Sequence, residues 1–210
     1  MEKRYKASCQ SDFWTRIFEI EADYLTERLN GCRDVLSVGC GPAVIEGLLA
    51  GRGYRVTGLD VTPDALQGAP DAVRTVCASA ERMPIPDASF DAAVFVASLQ
   101  FIHSPESAIR EAARVVRSNG RIIVLLLNPK SLFVAERLNR PDSYVNRIKH
   151  TDTNSLVAAI NDHFIAKTEY FLGINGEQLD PTDRTDAAAL ISVYGQRRNN
   201  RSASDQASTV

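Results

Sequence analysis

A short apolar run, Val35-Leu36-Ser37-Val38, meets Gly39-Cys40-Gly41 and passes at once into a helical pattern. In that pattern Ile45, Leu48 and Leu49 share one face, and Gly51 marks the end. The backbone must go from strand to helix through a sharp bend containing two residues without a Cβ. Glycine is favoured where the chain bends tightly and a ligand needs close access to the backbone. The free N–H groups and positive dipole end of the helix face the same space, which suits a carboxylate or a phosphate. A second strand, Arg55 to Asp60, ends in an acid 19 positions after Gly41. An acid at the tip of the second parallel strand can accept both hydroxyls of a ribose, so the pair predicts a nucleoside-containing ligand.

Strand and helix signals alternate from Val35 to Leu127, which predicts an α/β, Rossmann-like doubly wound sheet, mainly parallel, with helices on both faces. Further strands are expected at 73–78, at 92–97 and at 121–127, the last being the most hydrophobic and therefore central. Ser104-Pro105-Glu106 opens a helix that Asn119-Gly120 should stop. Upstream, Ser11 caps a helix to about Leu29 with the apolar stripe Trp14, Phe18, Ala22, Leu25 and Leu29. Downstream come a helix at 131–138, a polar run at 139–152, a helix at 153–163, a strand at 164–172, a long loop at 173–186 and a final strand at 188–196. One domain over 1–197 is expected, with 1–30 as an N-terminal cap, 139–152 as an insertion and 198–210 as a disordered tail.

The 44% hydrophobic and 24% charged residues are those of a globular protein, and the net charge of −2 advertises neither a nucleic-acid nor a membrane partner. Cys9, Cys32, Cys40 and Cys77 have no metal-ligand spacing, so no metal is predicted; Cys40 and Cys77 read as small buried hydrophobes. No leader-like or bilayer-spanning stretch is read, and a reducing cytoplasm is expected. Nothing in the sequence fixes an oligomeric state.

The dinucleotide fingerprint wants a third glycine where Val44 stands, which disfavours a diphosphate cofactor. The spacing instead resembles the Gly-x-Gly-x-Gly motif of class I S-adenosylmethionine-dependent methyltransferases, with Ala43 in the third glycine's place. Residues 80–91 (Ala80-Glu81-Arg82-Met83-Pro84-Ile85-Pro86-Asp87-Ala88-Ser89-Phe90-Asp91) resemble the segment these enzymes carry before their fourth strand. The resemblance covers residues 33–128 and is closest to the ubiquinone/menaquinone-biosynthesis-like branch, methyltransferase type 11. It implies seven strands with an antiparallel last one, S-adenosylmethionine as cofactor and S-adenosylhomocysteine as product; the near-neutral charge and the 139–152 insertion suggest a small-molecule acceptor under a partial lid.

The resemblance also implies site residues. Gly39, Cys40 and Gly41 would face the methionine part, Asp60 the ribose and Val61 the adenine face. Ser79, Ala80 and Glu81 would meet the adenine edge, and Val96 and Ala97 would line the methionine side through their backbone. Gln100, His103, His150 and Tyr5 are candidates for the acceptor side, with His103 as a candidate general base. Three positions depart from the pattern: Ser37, where an acid often helps hold the amino group; Ala43, whose methyl would lie near the carboxylate; and Ser79, where an acid commonly reads adenine. They leave open a degenerate or regulatory S-adenosylmethionine-binding protein. An NAD(P)-dependent oxidoreductase is a third reading, opposed by Val44 and by the lack of a Tyr-x-x-x-Lys pair.

Overall fold

A computed structural model describes residues 11–198. The first helix, α1 (Asp12–Arg28), starts where the Ser11 side chain accepts from the Trp14 N–H. It leads into β1 (Asp34–Val38), the glycine turn and α2 (Val44–Gly51). Next come β2 (Arg55–Asp60), α3 (Pro63–Leu66), β3 (Arg74–Cys77) and β4 (Phe90–Val96). A 3-10 turn at Leu99–Phe101 precedes α4 (Pro105–Val115) and β5 (Val116–Leu127). The last third holds α5 (Leu132–Leu138), a 3-10 turn at Tyr144–Arg147 and α6 (Thr153–His163). Three strands complete the sheet: β6 (Phe164–Asn175), β7 (Gln178–Asp180) and β8 (Ala188–Arg197).

The strand order is β3-β2-β1-β4-β5-β8-β6-β7. The first five strands are parallel; β8 runs antiparallel to β5 and β6, and β7 runs antiparallel to β6. The expected doubly wound class is therefore found, with eight strands where seven were expected. The extra strand, β7, lies inside the stretch expected to be loop. Gln178-Leu179-Asp180 is too short for its one polar–apolar–polar alternation to stand out as a strand signal; pairing of Asn175 with Gln178 across the Gly176 turn is what makes it a strand.

Side chains alternate across the sheet. Val35, Ala92, Val94, Ile123 and Leu125 pack against α1 and α2, whereas Leu36, Ala93, Phe95, Ile122 and Val124 pack against α4 and α6. This two-sided burial explains why the central strands read as continuous apolar runs. A third cluster, including Ile17, Leu127, Phe133, Leu172 and Leu190, closes one end of the sheet.

The helix expected to stop at Asn119-Gly120 ends at Val115, and the strand expected from Arg121 begins at Val116. Phe90 faces Val116 but Ala92 faces Arg121, so β5 bulges between these two pairs. Asn119 and Gly120 sit in that bulge, so the two residues mark an irregularity in a strand and not a helix cap. Cys77, expected to be buried, is exposed because β3 is the edge strand of the sheet. Residues 1–10, with Tyr5 and Cys9, and 199–210 lie outside the described residues.

The seam between β6 and β8 leaves no room at Gly195, where a Cβ would stand 2.1 Å from the Ile165 carbonyl oxygen. Gly195→Ala should therefore destabilise the protein by about 3 kcal/mol or more, read as a lowered urea midpoint, because the obstacle is backbone that cannot turn aside.

Candidate active site

The strand order reverses between β1 and β4, and in such sheets the crevice beyond the carboxyl ends at that point is the usual ligand site. Here it opens into a cleft of about 1510 Å³. One wall is the turn after β1. Gly39 has φ +74, and a Cβ on it would fall 2.6 Å from the Cβ of Ser98, just past β4. Ser98 Oγ in turn donates to the Val38 carbonyl at 2.6 Å. The turns after β1 and β4 are thus pressed together, and only glycine fits at their contact. Gly41 has φ +55 with nothing within 4 Å of a Cβ position, so its backbone borders open cleft.

Asp60 ends β2 beside this turn. Its Oδ2 accepts from the Gly41 N–H at 2.9 Å and its Oδ1 from the Thr62 N–H at 2.8 Å. The carboxylate therefore shapes the glycine turn as well as facing the cleft. Val61, next along, is 69% exposed and lines the same space. Ser79, Ala80 and Glu81 line it from the loop after β3. Ser79 Oγ accepts from the Glu81 N–H at 3.2 Å, and Glu81 Oε1 accepts from the Ser104 N–H at 2.7 Å, which ties this loop to the start of α4. Val96 and Ala97 line the cleft after β4, Ala97 with a left-handed φ of +45. Cys40 lines it too; burial pushes its thiol well above the ordinary range, so it stays protonated.

Some expectations are corrected. Ala43 adopts the left-handed conformation, φ +57, that the third glycine of the motif would take without strain. Its methyl group is fully buried in the core behind the turn and does not line the cleft. Gln100 does not face an acceptor. It is 1% exposed, its Oε1 accepts from the Leu127 N–H at 2.7 Å, and its Nε2 donates to the Leu127 and His150 carbonyls. The His150 ring lies 3.0 Å from the Ile102 carbonyl oxygen and 3.3 Å from that of His103, so it clasps that loop from behind. His103 is exposed and does line the cleft.

Two carboxyls that sequence reasoning passed over stand beside the glycine turn. Glu46 is the third residue of α2 and 3% exposed; Glu21 lies on the buried face of α1 and is 6% exposed. Both line the cleft. The Ser37 hydroxyl donates to Glu46 Oε1, so the position where an acid was expected instead holds an acid in place. Among the described residues Glu21 has neither a hydrogen bond nor an ion pair. Burial lifts its carboxyl to about 8, with the neighbouring Glu46 adding to the rise. Burial lifts Glu46 to about 7, and the bond from Ser37 pulls partly the other way. The available signal was compositional: each is a lone acid on an otherwise apolar helix face.

The far half of the cleft is apolar and aromatic. Trp14, Ile17 and Phe18 come from α1, Phe133 and Arg137 from α5, Phe101 and Tyr144 from the 3-10 turns, and Leu172 and Ile174 from β6. None of these was singled out as a site residue, because each reads as ordinary helix or strand core until the sheet brings them together.

The family model for a methyltransferase domain matches residues 36–124, the segment that holds the glycine turn, Asp60, Ser79 to Glu81 and the end of β4. Over residues 36–124 the chain is similar to that family. A ubiquinone biosynthesis O-methyltransferase from Alkalilimnicola ehrlichii is 33% identical over 129 residues, covering 55% of this chain and 52% of that protein. The chain thus spans about half the length of that curated relative. A possible histamine N-methyltransferase from Thermotoga maritima superposes with a TM-score of 0.72 at 20% identity, over 86% of this chain and 89% of that one. The fold is also that of a 4+2 cyclase, SpnF, with a TM-score of 0.61 at 22% identity, over 76% of this chain and 64% of that one. Among the described residues no helix is long and apolar enough to cross a membrane.

The buried acid pair gives the protein a pH dependence of known sign. The native state holds protons that the unfolded chain, with ordinary carboxyls near 4.5, has released. Stability should therefore be full below about pH 4.5, fall as pH rises, and level off above about pH 8. Glu21→Gln, neutral at every pH, should flatten that slope in urea titrations between about pH 5 and 8.

Proposed function

We propose that this chain transfers the methyl group of S-adenosylmethionine to a small-molecule acceptor, leaving S-adenosylhomocysteine. The observation that carries the reading is the meeting of the Gly39–Gly41 turn with the Asp60 carboxylate where the strand order reverses, inside the matched segment. The residues fit that cofactor. Gly41 leaves its backbone open, each Asp60 oxygen keeps a second lone pair for a ribose hydroxyl, and exposed Val61 offers an apolar surface to adenine. Glu21 and Glu46 offer negative charge to the ammonium group of the methionine part, in place of an acid at Ser37.

The cofactor's sulfonium makes its methyl group transferable without activation by the protein. The chain supplies position, holding an acceptor in line behind the methyl carbon, an effect worth up to about 7–11 kcal/mol in favourable intramolecular cases. His103 serves as general base only where the acceptor must lose a proton. The helix α1 and the 139–152 segment cover the apolar half of the cleft, where the acceptor sits. The net charge of −2 favours a small molecule over a nucleic acid, and the free cysteines suit a reducing cytoplasm. A second reading is an S-adenosyl-binding protein without methyl transfer, favoured by the cyclase of the same fold and by the engagement of Ser79 Oγ with Glu81. Transfer of label from the cofactor methyl group to any small-molecule fraction of a cell extract separates the two.

S-adenosylhomocysteine at about a hundred times its Kd should stabilise the protein by roughly 2.7 kcal/mol, seen as a raised Tm, whereas NAD should leave the Tm unchanged. Asp60→Ala should weaken binding by at least about tenfold in calorimetry. It should also lower stability by about 1–3 kcal/mol, because the Gly41 and Thr62 N–H groups lose their acceptor. Ser79→Asp should tighten binding.

Binding an ammonium group requires the acid pair to ionise. Affinity for S-adenosylhomocysteine should therefore rise from about pH 6 to about pH 8, with proton release measurable by titrating in buffers of different ionisation enthalpy. Unchanged affinity in a Glu21→Gln, Glu46→Gln double variant would remove the pair from the site.

A further inference from the structure

The cleft is lined by acids and bases from different elements. Glu21 and Glu46 come from α1 and α2, whereas α5 and the segment after it bring Arg137, Arg140, Arg147 and Lys149 with one acid, Asp142. Arg137 differs from the other three because it reaches inward. It follows Phe133 by one helical turn on α5, and its guanidinium lies 3.4 Å from the Phe133 ring centroid and 5.5 Å from that of Trp14. Trp14 and Phe133 meet edge to face at 6.3 Å. The guanidinium is thus laid on an aromatic platform at the mouth of the apolar half.

Arg137 is only partly exposed, and burial lowers its pKa. Among the described residues its one hydrogen bond is from Nη1 to the Phe133 carbonyl at 3.3 Å. Among the described residues no carboxylate pairs with it. Three other partly buried arginines have carboxylate partners: Arg28 pairs with Glu169, Arg114 with Glu111 and Asp87, and Arg117 with Asp91. Arg121 and Arg197 donate to backbone carbonyls instead, and neither lines the cleft. A guanidinium is a fork of donors matched to planar anions, and cation–π contacts leave the edges of that fork unspent.

Resting on the methyl-transfer reading above, we propose that the acceptor is an anionic amphiphile: a carboxylate held by Arg137, with an apolar or aromatic body in the space between Trp14, Phe101, Phe133 and Leu172. The volume agrees. A drug-sized ligand takes a pocket of roughly 300–1,000 Å³, and this cleft of about 1510 Å³ leaves room for a second molecule beside a nucleoside cofactor.

The test uses the full chain saturated with S-adenosylhomocysteine, whose own binding is measured first. The probes are 4-phenylbutyrate and its uncharged amide, matched in shape. Calorimetry should show the carboxylate binding at least about tenfold tighter than the amide. Arg137→Gln should erase that preference while leaving the S-adenosylhomocysteine Kd unchanged, and Arg137→Lys should keep part of it, because a point charge lacks the fork. Equal binding of the two probes, no binding of the carboxylate at millimolar concentration, or a preference that survives Arg137→Gln would each overturn the proposal. A protein that ignores S-adenosylhomocysteine yet prefers the carboxylate through Arg137 would keep the anion site and lose the methyl-transfer reading beneath it.

Discussion

The Asp60 carboxylate bridges the Gly41 and Thr62 N–H groups, and the shape of the site depends on that bridge. The turn after β1 could take many paths, since glycines hold little conformational preference of their own. Two contacts choose one path: the charge-assisted bond to Asp60 and the close approach of Gly39 to Ser98. The Gly39 and Cys40 N–H groups both point at the Leu59 carbonyl, at 2.7 and 3.2 Å, which fastens the turn across the end of β2. The same carboxylate that would hold a ribose therefore builds the loop that would receive the rest of the ligand. Binding and local order share one side chain.

Charge is distributed in the cleft by burial more than by number. The molecule is close to neutral, at −2 over 210 residues, yet the cleft is lined by two buried acids and by a guanidinium on aromatic rings. Burial raises the pKa of both carboxyls, so near neutral pH they keep part of their protons and avoid part of the desolvation cost of a full charge. A guanidinium cannot shed its charge in that way, and cation–π contact with Phe133 and Trp14 meets part of the cost of its burial. The two therefore differ in kind: the charge of the acids depends on pH, and that of the guanidinium does not.

Local pattern carried the parallel half of the fold and the placing of the Gly39–Gly41 turn and Asp60 at adjacent strand ends. The strand–glycine–helix stretch, the acid after β2 and the apolar run of β4 are each readable because strand period, glycine and capping residues act over a few positions. The same reasoning misplaced the end of α4, because Asn119-Gly120 has the composition of a helix stop and serves instead in a bulge that only the pairing of β4 with β5 creates. It also gave Gln100 and His150 to the acceptor, since both follow β4 or lie in a polar run. The structure uses their polar groups on the backbone of Leu127, Ile102 and His103.

The sequence by itself determined that this chain forms a doubly wound sheet with a glycine turn and an acid at adjacent strand ends. Those features are local, and the sheet needs only the alternation of strand and helix to bring them together. The tertiary structure alone decided that Glu21, from a helix before the first strand, would share a dry space with Glu46, and that Arg137 would line the same cleft. Both depend on how α1 and α5 pack over the ends of the strands, through contacts between residues more than a hundred positions apart such as Trp14 with Phe133. No short-range period encodes such a meeting; it follows from which apolar faces remain uncovered once the sheet has formed.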